Sequence, residues 1–126
     1  PRYRDPRIHF VVNCGAWSCP ALENRAFDGP TLDQRLDSAA RRSLNDPKYL
    51  RYDKKKNTLY ISKILDWYGQ DFIDWYPASS PVAPRLLDYI ELYVAETVGQ
   101  AFKDKNPKID FDSYDWRLND QALTRP

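Results

Sequence analysis

This sequence has no methionine, one histidine, two cysteines and only four glycines in 126 residues. Each scarcity excludes something. One histidine and two cysteines outside a C-x-x-C spacing supply too few ligands for a structural zinc centre, so no metal site is expected. Four glycines, none in G-x-x-x-x-G-K-[ST] or G-x-G-x-x-G order, build no phosphate cradle, and no cofactor is expected. Two cysteines do not make a disulfide scaffold of the small secreted kind. No apolar run approaches the roughly 20 residues that cross a bilayer, and no signal segment is visible. Localisation stays open. Association with a membrane complex would be peripheral. Neither sign of charge dominates: 19 basic residues face 18 acidic ones, a net of +1. Nucleic-acid-binding domains carry a basic excess on one face, so nucleic acid is not an expected partner. The densest basic run, Lys54-Lys55-Lys56 before Asn57, reads as a solvated turn.

What is present is enough for one folded domain. Hydrophobic residues make up 42% of the chain and aromatics 14%, and a chain of this size buries roughly two-thirds of its unfolded surface. Residues 1–7, with Pro1, Pro6 and three arginines, read as an arm. Ile8 to Val12 is a short apolar run read as a buried strand. Thr31 with Gln34 three residues on forms a capping-box pattern. Leu32, Leu36, Ala39, Ala40 and Leu44 then recur at helical spacing until Asn45-Asp46-Pro47 ends the helix. Tyr49–Asp53 and Thr58–Ile61 flank the lysine turn as a hairpin. Ser62 caps a helix running through Trp67 and Tyr68 towards Phe72. The Leu65-Asp66-Trp67-Tyr68 and Ile73-Asp74-Trp75-Tyr76 tetrapeptides are too short to signify a repeat architecture. After the proline- and serine-rich stretch from Pro77 to Pro84, one long helix is expected. Its apolar stripe is Leu86, Leu87, Ile90, Val94, Val98 and Phe102, and it weakens at Gly99. Lys108 to Phe111 is a last strand, and residues 121–126 are a tail. The pattern is α+β: a few short strands with two to three helices.

Several of these blocks resemble domain-of-unknown-function family 547. The signature is Ile8-His9-Phe10, then Asn13-Cys14-Gly15 and Ser18-Cys19-Pro20. The helix from Leu32-Asp33 to Asn45-Asp46 is similar to the family's next block. So are Ile61-Ser62-Lys63-Ile64 with Trp67-Tyr68 and Asp71-Phe72, and Tyr114-Asp115-Trp116 with Leu118-Asn119-Asp120. On this likeness the domain spans residues 8–120. The resemblance implies a further upstream block, with a histidine region, that this sequence does not contain, so the chain is expected to be the C-terminal part of the domain. It also implies a partial papain- or transglutaminase-like fold, whose enzymes use a Cys-His arrangement. Fold alone does not fix function.

The cysteine stretch has two readings. A nucleophilic cysteine needs a thiolate made available by a nearby base, and His9 is the only histidine. In a continuous strand His9 and Cys14 would point to opposite faces, whereas His9 and Cys19 could meet across a folded loop. Otherwise Asn13 and Ser18 tie down a turn under which Cys14 and Cys19 pack, and whether the two form a disulfide is a matter of geometry. Asp66, Asp71 and Asp74 read as solvated carboxylates.

Two function classes follow. One is a non-catalytic structural or interaction module, an accessory subunit bound to other protein subunits. Its candidate anchors are Trp17, Trp75, Tyr76, Arg2, Arg4 and Arg7, since aromatics and arginines are favoured at interfaces. The other is a thiol-dependent hydrolase or acyltransferase with Cys14 or Cys19 as nucleophile and His9 as base. The missing upstream block and the poorly placed histidine favour the first.

Overall fold

A computed structural model describes residues 4–76 and 83–120. Within them the chain forms five short α-helices and a three-stranded sheet, an α+β domain. The expected arm positions Arg2 and Pro1, most of the proline- and serine-rich stretch and the tail lie outside the described residues.

Residues Pro6–Phe10 form a 3₁₀ helix, not the strand that their apolar run predicts. The reason lies one residue upstream. Asp5 accepts the Arg7 N–H at 3.0 Å, and Pro6 sits at the first helical position with its φ already set. A capped start of this kind outweighs five residues of strand-like composition. Of the run from Ile8 to Val12, Phe10 alone is buried, while Ile8 and Val12 are exposed.

Helix α1, Leu32–Leu44, follows its predicted stripe: Leu36, Ala39, Ala40 and Leu44 are buried, whereas Leu32 is largely exposed. Its entry differs in detail from a capping box. Thr31 makes no capping bond; Asp28 accepts both the Thr31 N–H and its hydroxyl, at 2.9 and 2.6 Å. The hairpin forms as expected, with β1 at Leu50–Asp53 antiparallel to β2 at Thr58–Ile61. Asn57 closes its turn at φ 45°, a left-handed conformation that asparagine tolerates. Strand β3, Lys108–Phe111, pairs in parallel with β2, so β2 is the central strand. The register aligns Leu50 and Tyr52, Leu59 and Ile61, and Ile109 and Phe111 on one face, which closes over the helices.

Two helices expected as single pieces are each broken in two. Ser62 does cap the first, accepting the Ile64 N–H at 3.2 Å. It then divides at Tyr68 into α2, Lys63–Trp67, and α3, Gly69–Trp75. The long C-terminal helix divides into α4, Leu86–Glu91, and α5, Glu96–Lys105. Its break falls at residues 92–95 and not at Gly99, where the helix continues. The side chain of Asn45, at the end of α1, occupies this break. It donates to the Tyr93 carbonyl at 2.8 Å and accepts the Ala95 N–H at 2.9 Å. The core joins α1, the sheet and α2–α5 around Leu44, Leu59, Ile61, Leu65, Phe72, Tyr89, Ile90 and Phe102.

Candidate functional site

Two features stand out on this frame. The first is a cleft of about 570 Å³ between the 3₁₀ helix and α3, lined by Arg4, Asp5, Pro6, Ile8, His9, Asp71, Asp74 and Trp75. The 3₁₀ turn presents His9 to α3, where its Nε2 lies 2.9 Å from Asp71 Oδ2. The break at Tyr68 lets that ring stack on the imidazole, with centroids 4.0 Å apart and planes 13° from parallel. Phe72 supports the imidazole from a second side, at 5.6 Å. A histidine held by a carboxylate is the orienting half of a general-base arrangement. No serine, threonine, cysteine or lysine stands among the described lining residues to serve as its nucleophile.

Arg7 does not reach this cleft as a free cation. It is 8% exposed and fixed by Asp5 at 2.6 Å and by Asp33, in the first turn of α1, at 2.7 Å. This clamp ties the 3₁₀ helix to the start of α1. Burial raises the Asp5 pKa, but the hydrogen bonds from the Arg7 side chain and backbone and its positive charge outweigh that and hold it below the ordinary value.

The second feature is the cysteine loop. Cys14 and Cys19 form a disulfide. Gly15 takes φ +81° within it, a conformation that favours glycine. Asn13 secures both ends of the loop, accepting the Gly15 N–H at 2.9 Å and donating to the Pro20 carbonyl at 2.7 Å. The loop in turn holds the segment from Tyr114 to Asn119. Trp17 N–H donates to the Arg117 carbonyl at 2.8 Å, and Asn119 N–H to the Gly15 carbonyl at 2.8 Å. Ser18 Oγ accepts the Asp115 N–H at 2.9 Å. Asn13 and Ser18 therefore do brace the turn, Ser18 against a partner about a hundred residues along the chain. From beneath, the Tyr49 hydroxyl donates to the Cys19 carbonyl at 3.1 Å, and burial pushes the Tyr49 pKa up to about 12.

The segment held in this way completes an aromatic patch. Tyr114 lies 4.8 Å from Trp67 and 4.6 Å from Trp116 between ring centroids, and the two indoles are 5.7 Å apart. Trp67 is 46% exposed, Tyr68 44%, Trp116 67% and Leu118 67%. Nearby charges are already paired, Lys63 with Asp66 and Arg117 with Asp115, each at 2.5 Å. Arg117 holds the Asp115 carboxyl down to about 2.

Most of the residues nominated from sequence sit elsewhere. His9 meets Asp71, while Cys14 and Cys19 meet each other and present no free thiol. The absence of a strand removes the alternation that would have set His9 and Cys14 on opposite faces. Trp75 and Tyr76 pack against the core, with Trp75 edge-on to Tyr89 at 5.8 Å. Arg7 is buried, Arg4 is exposed at the cleft, and Trp17 is half-buried with Lys48 Nζ 5.1 Å from its ring centre. Arg2 lies outside the described residues. Of the three carboxylates read as solvated, Asp66 pairs with Lys63, Asp71 with His9, and Asp74 accepts from Gln70 at 2.7 Å. Sequence reasoning placed Trp67 and Tyr68 only on a helix, in a short tetrapeptide and in a family block, and Tyr114 and Trp116 only in a family block. A usable signal was present: Tyr114 and Trp116 alternate with Ser113, Asp115 and Arg117 and belong to no apolar stripe, so the core has no claim on Trp116.

Among known protein families, the one described as "Protein of unknown function, DUF547" matches residues 1–44 of this chain. The match covers the 3₁₀ helix, the disulfide loop and α1, in the N-terminal part of the chain and not in an evident C-terminal part of the domain. It does not extend to the blocks from Ile61 onward that also look similar. No curated protein and no solved structure matches the chain.

Proposed function

We propose that this chain is a non-catalytic interaction module, an accessory subunit that docks another protein through the patch of Trp67, Tyr68, Tyr114 and Trp116, with Leu118 at its margin. The observation that carries the reading is two solvent-exposed indoles, Trp67 and Trp116, clustered at tilted angles around the half-buried ring of Tyr114. Large aromatics at the surface are the usual anchors of protein interfaces. The rim narrows the partner. Among the described residues, the charges beside the patch are engaged by neighbours: Lys63 with Asp66, Arg117 with Asp115, and Asp71 hydrogen-bonded to His9. The occupant is therefore an uncharged segment of a partner protein, rich in proline or aliphatic side chains, and not a nucleic acid or a strongly charged tail. Arg4 and Trp17, both at the surface, extend the contact only if the partner reaches past the patch.

The thiol-hydrolase alternative is weaker because both sulfurs are consumed in the disulfide and the histidine is engaged with Asp71. The docking test is photocrosslinking in the cells that make the protein, with benzoylphenylalanine placed at Leu118 or, as control, at exposed Lys103 of α5. The expected result is one discrete adduct from position 118, absent from 103 and lost on Trp67→Ala, whose crosslinked peptide is apolar and uncharged. No adduct, the same adducts from both positions, or a highly charged crosslinked peptide would overturn the reading.

A further inference from the structure

The Cys14–Cys19 disulfide is asymmetric in two ways that a simple loop staple does not require. Access differs: Cys14 is exposed at the surface, whereas Cys19 is 2% exposed. Hydrogen bonding differs as well. Cys19 Sγ accepts the Cys14 backbone N–H at 3.1 Å and the Tyr114 hydroxyl at 3.0 Å, while Cys14 Sγ lies only within 3.4 Å of that same hydroxyl. Burial, and then the neighbouring Tyr68, raises the Tyr114 pKa, so the phenol stays protonated and able to donate. In thiol–disulfide exchange the thiolate attacks the accessible sulfur, and the bond breaks towards the sulfur better able to hold negative charge. Hydrogen-bond donors aimed at a sulfur confer that ability.

We propose that Cys14–Cys19 is an exchange-active disulfide whose substrates are thiols, small or protein-borne dithiols above all. An external thiolate attacks Cys14 Sγ and forms a mixed disulfide. The Cys14–Cys19 bond breaks, and its electron pair goes to Cys19 Sγ, where the Cys14 N–H and the Tyr114 hydroxyl stabilise the thiolate. The second thiolate of the dithiol then attacks the external sulfur of the mixed disulfide and releases Cys14 as a thiolate, which takes a proton from water. The dithiol is oxidised to its disulfide and the protein pair is reduced, so electrons balance without any further oxidant. A protein disulfide of higher potential reverses the sequence.

The exchange has a structural consequence. The cysteine loop holds the backbone of Asp115, Arg117 and Asn119 through Ser18, Trp17 and Gly15, and Tyr114 bridges the sulfurs to Trp67 and Trp116. Oxidation state therefore controls assembly of the aromatic patch. This consequence rests on the docking reading for its biological meaning, but the exchange chemistry does not.

The chemistry is tested on the purified full chain alone, so it can stand or fall apart from docking. Oxidised protein is treated with limiting glutathione, quenched in acid and mapped by mass spectrometry. The adduct is expected on Cys14; an adduct on Cys19 or an even split overturns the proposal. Reduction by dithiothreitol is expected to slow on the order of fivefold in Tyr114→Phe, which keeps the ring and loses the donor. An unchanged rate overturns the role of the hydroxyl. Should Tyr114→Phe not fold, the pH dependence of alkylation in the reduced wild-type protein decides the point. Cys19 is expected to titrate below the ordinary thiol value of about 8.5, and two thiols titrating together near it overturn the proposal. Amide hydrogen exchange of residues 115–119 is expected to quicken on reduction, and an unchanged pattern overturns the coupling to the patch.

Discussion

Asn45 Oδ1 accepts the backbone N–H of Ala95 at 2.9 Å across fifty residues of sequence. The same side chain donates to the carbonyls of Arg41 at 2.7 Å and Tyr93 at 2.8 Å. One amide thus closes the C-terminal end of α1 and satisfies two backbone groups that the α4–α5 break leaves without helical partners. Asn45→Ala removes all three bonds. The expected loss is about 2 kcal/mol, discounted from three full bonds because the site is partly solvated. Urea denaturation should show it against Gln34→Ala, an exposed helical position expected to change stability by less than about 0.5 kcal/mol.

Asn45 also marks the limit of what could be read in the sequence. The α1 stripe, the hairpin and β3 were legible because each shows its period or its turn within a dozen residues. The order of strand and helix segments likewise sufficed for the α+β class. The break after Glu91 was not legible, because the side chain that fills it comes from Asn45, far upstream, and the stripe from Leu86 to Phe102 continues across it. Ile8–Val12 failed for a different reason: apolar composition was weighed and the Asp5-Pro6 start signal was not. At the candidate site, Asn13 and Ser18 were legible as turn braces. The disulfide was open, since only folded geometry decides whether two cysteines meet. The His9–Asp71 pair is a tertiary juxtaposition with no trace in local spacing; alternation signals that Trp116 is free of the core, but not that it meets Trp67.

The Arg7 clamp predicts a pH dependence of stability. Asp5 has its folded pKa depressed, so it contributes stability above its unfolded value near 3.8 and loses that contribution as pH falls through the lower folded value. Asp5→Asn should therefore melt below wild type at neutral pH, and the two should converge as acid protonates the carboxylate. Thermal melts from pH 7 down to about 2 check the sign. A gap that persists unchanged into acid would mean that Asp5 acts as the cap of the 3₁₀ helix and not through its charge.

Phe72 joins the fold to the cleft. It is fully buried, lies 4.8 Å from Tyr89 and 5.5 Å from Phe10 between ring centres, and forms one wall of the His9 seat. Phe72→Ala is expected to cost about 3–5 kcal/mol, with the cavity left behind accounting for part of it. His9 should also lose its fixed ring orientation. Denaturant titration measures the first effect. The spread of His9 ring resonances in the NMR spectrum of the folded fraction measures the second, and Phe72→Leu should lie between the two proteins in both.

Trp116 sets the opposite expectation. It is 67% exposed and touches Trp67 and Tyr114 only at the surface, so little apolar area returns to water when it is truncated. Trp116→Ala should change stability by less than about 1 kcal/mol, far below the effect of Phe72→Ala. The contrast matters because an indole kept in solvent without a stabilising role is better explained by contact with something else. Thermal denaturation of the two variants side by side provides the measurement. If Trp116→Ala unfolded as readily as the core variant, the patch would be part of the fold's own packing, and docking would no longer be needed to explain why it is there.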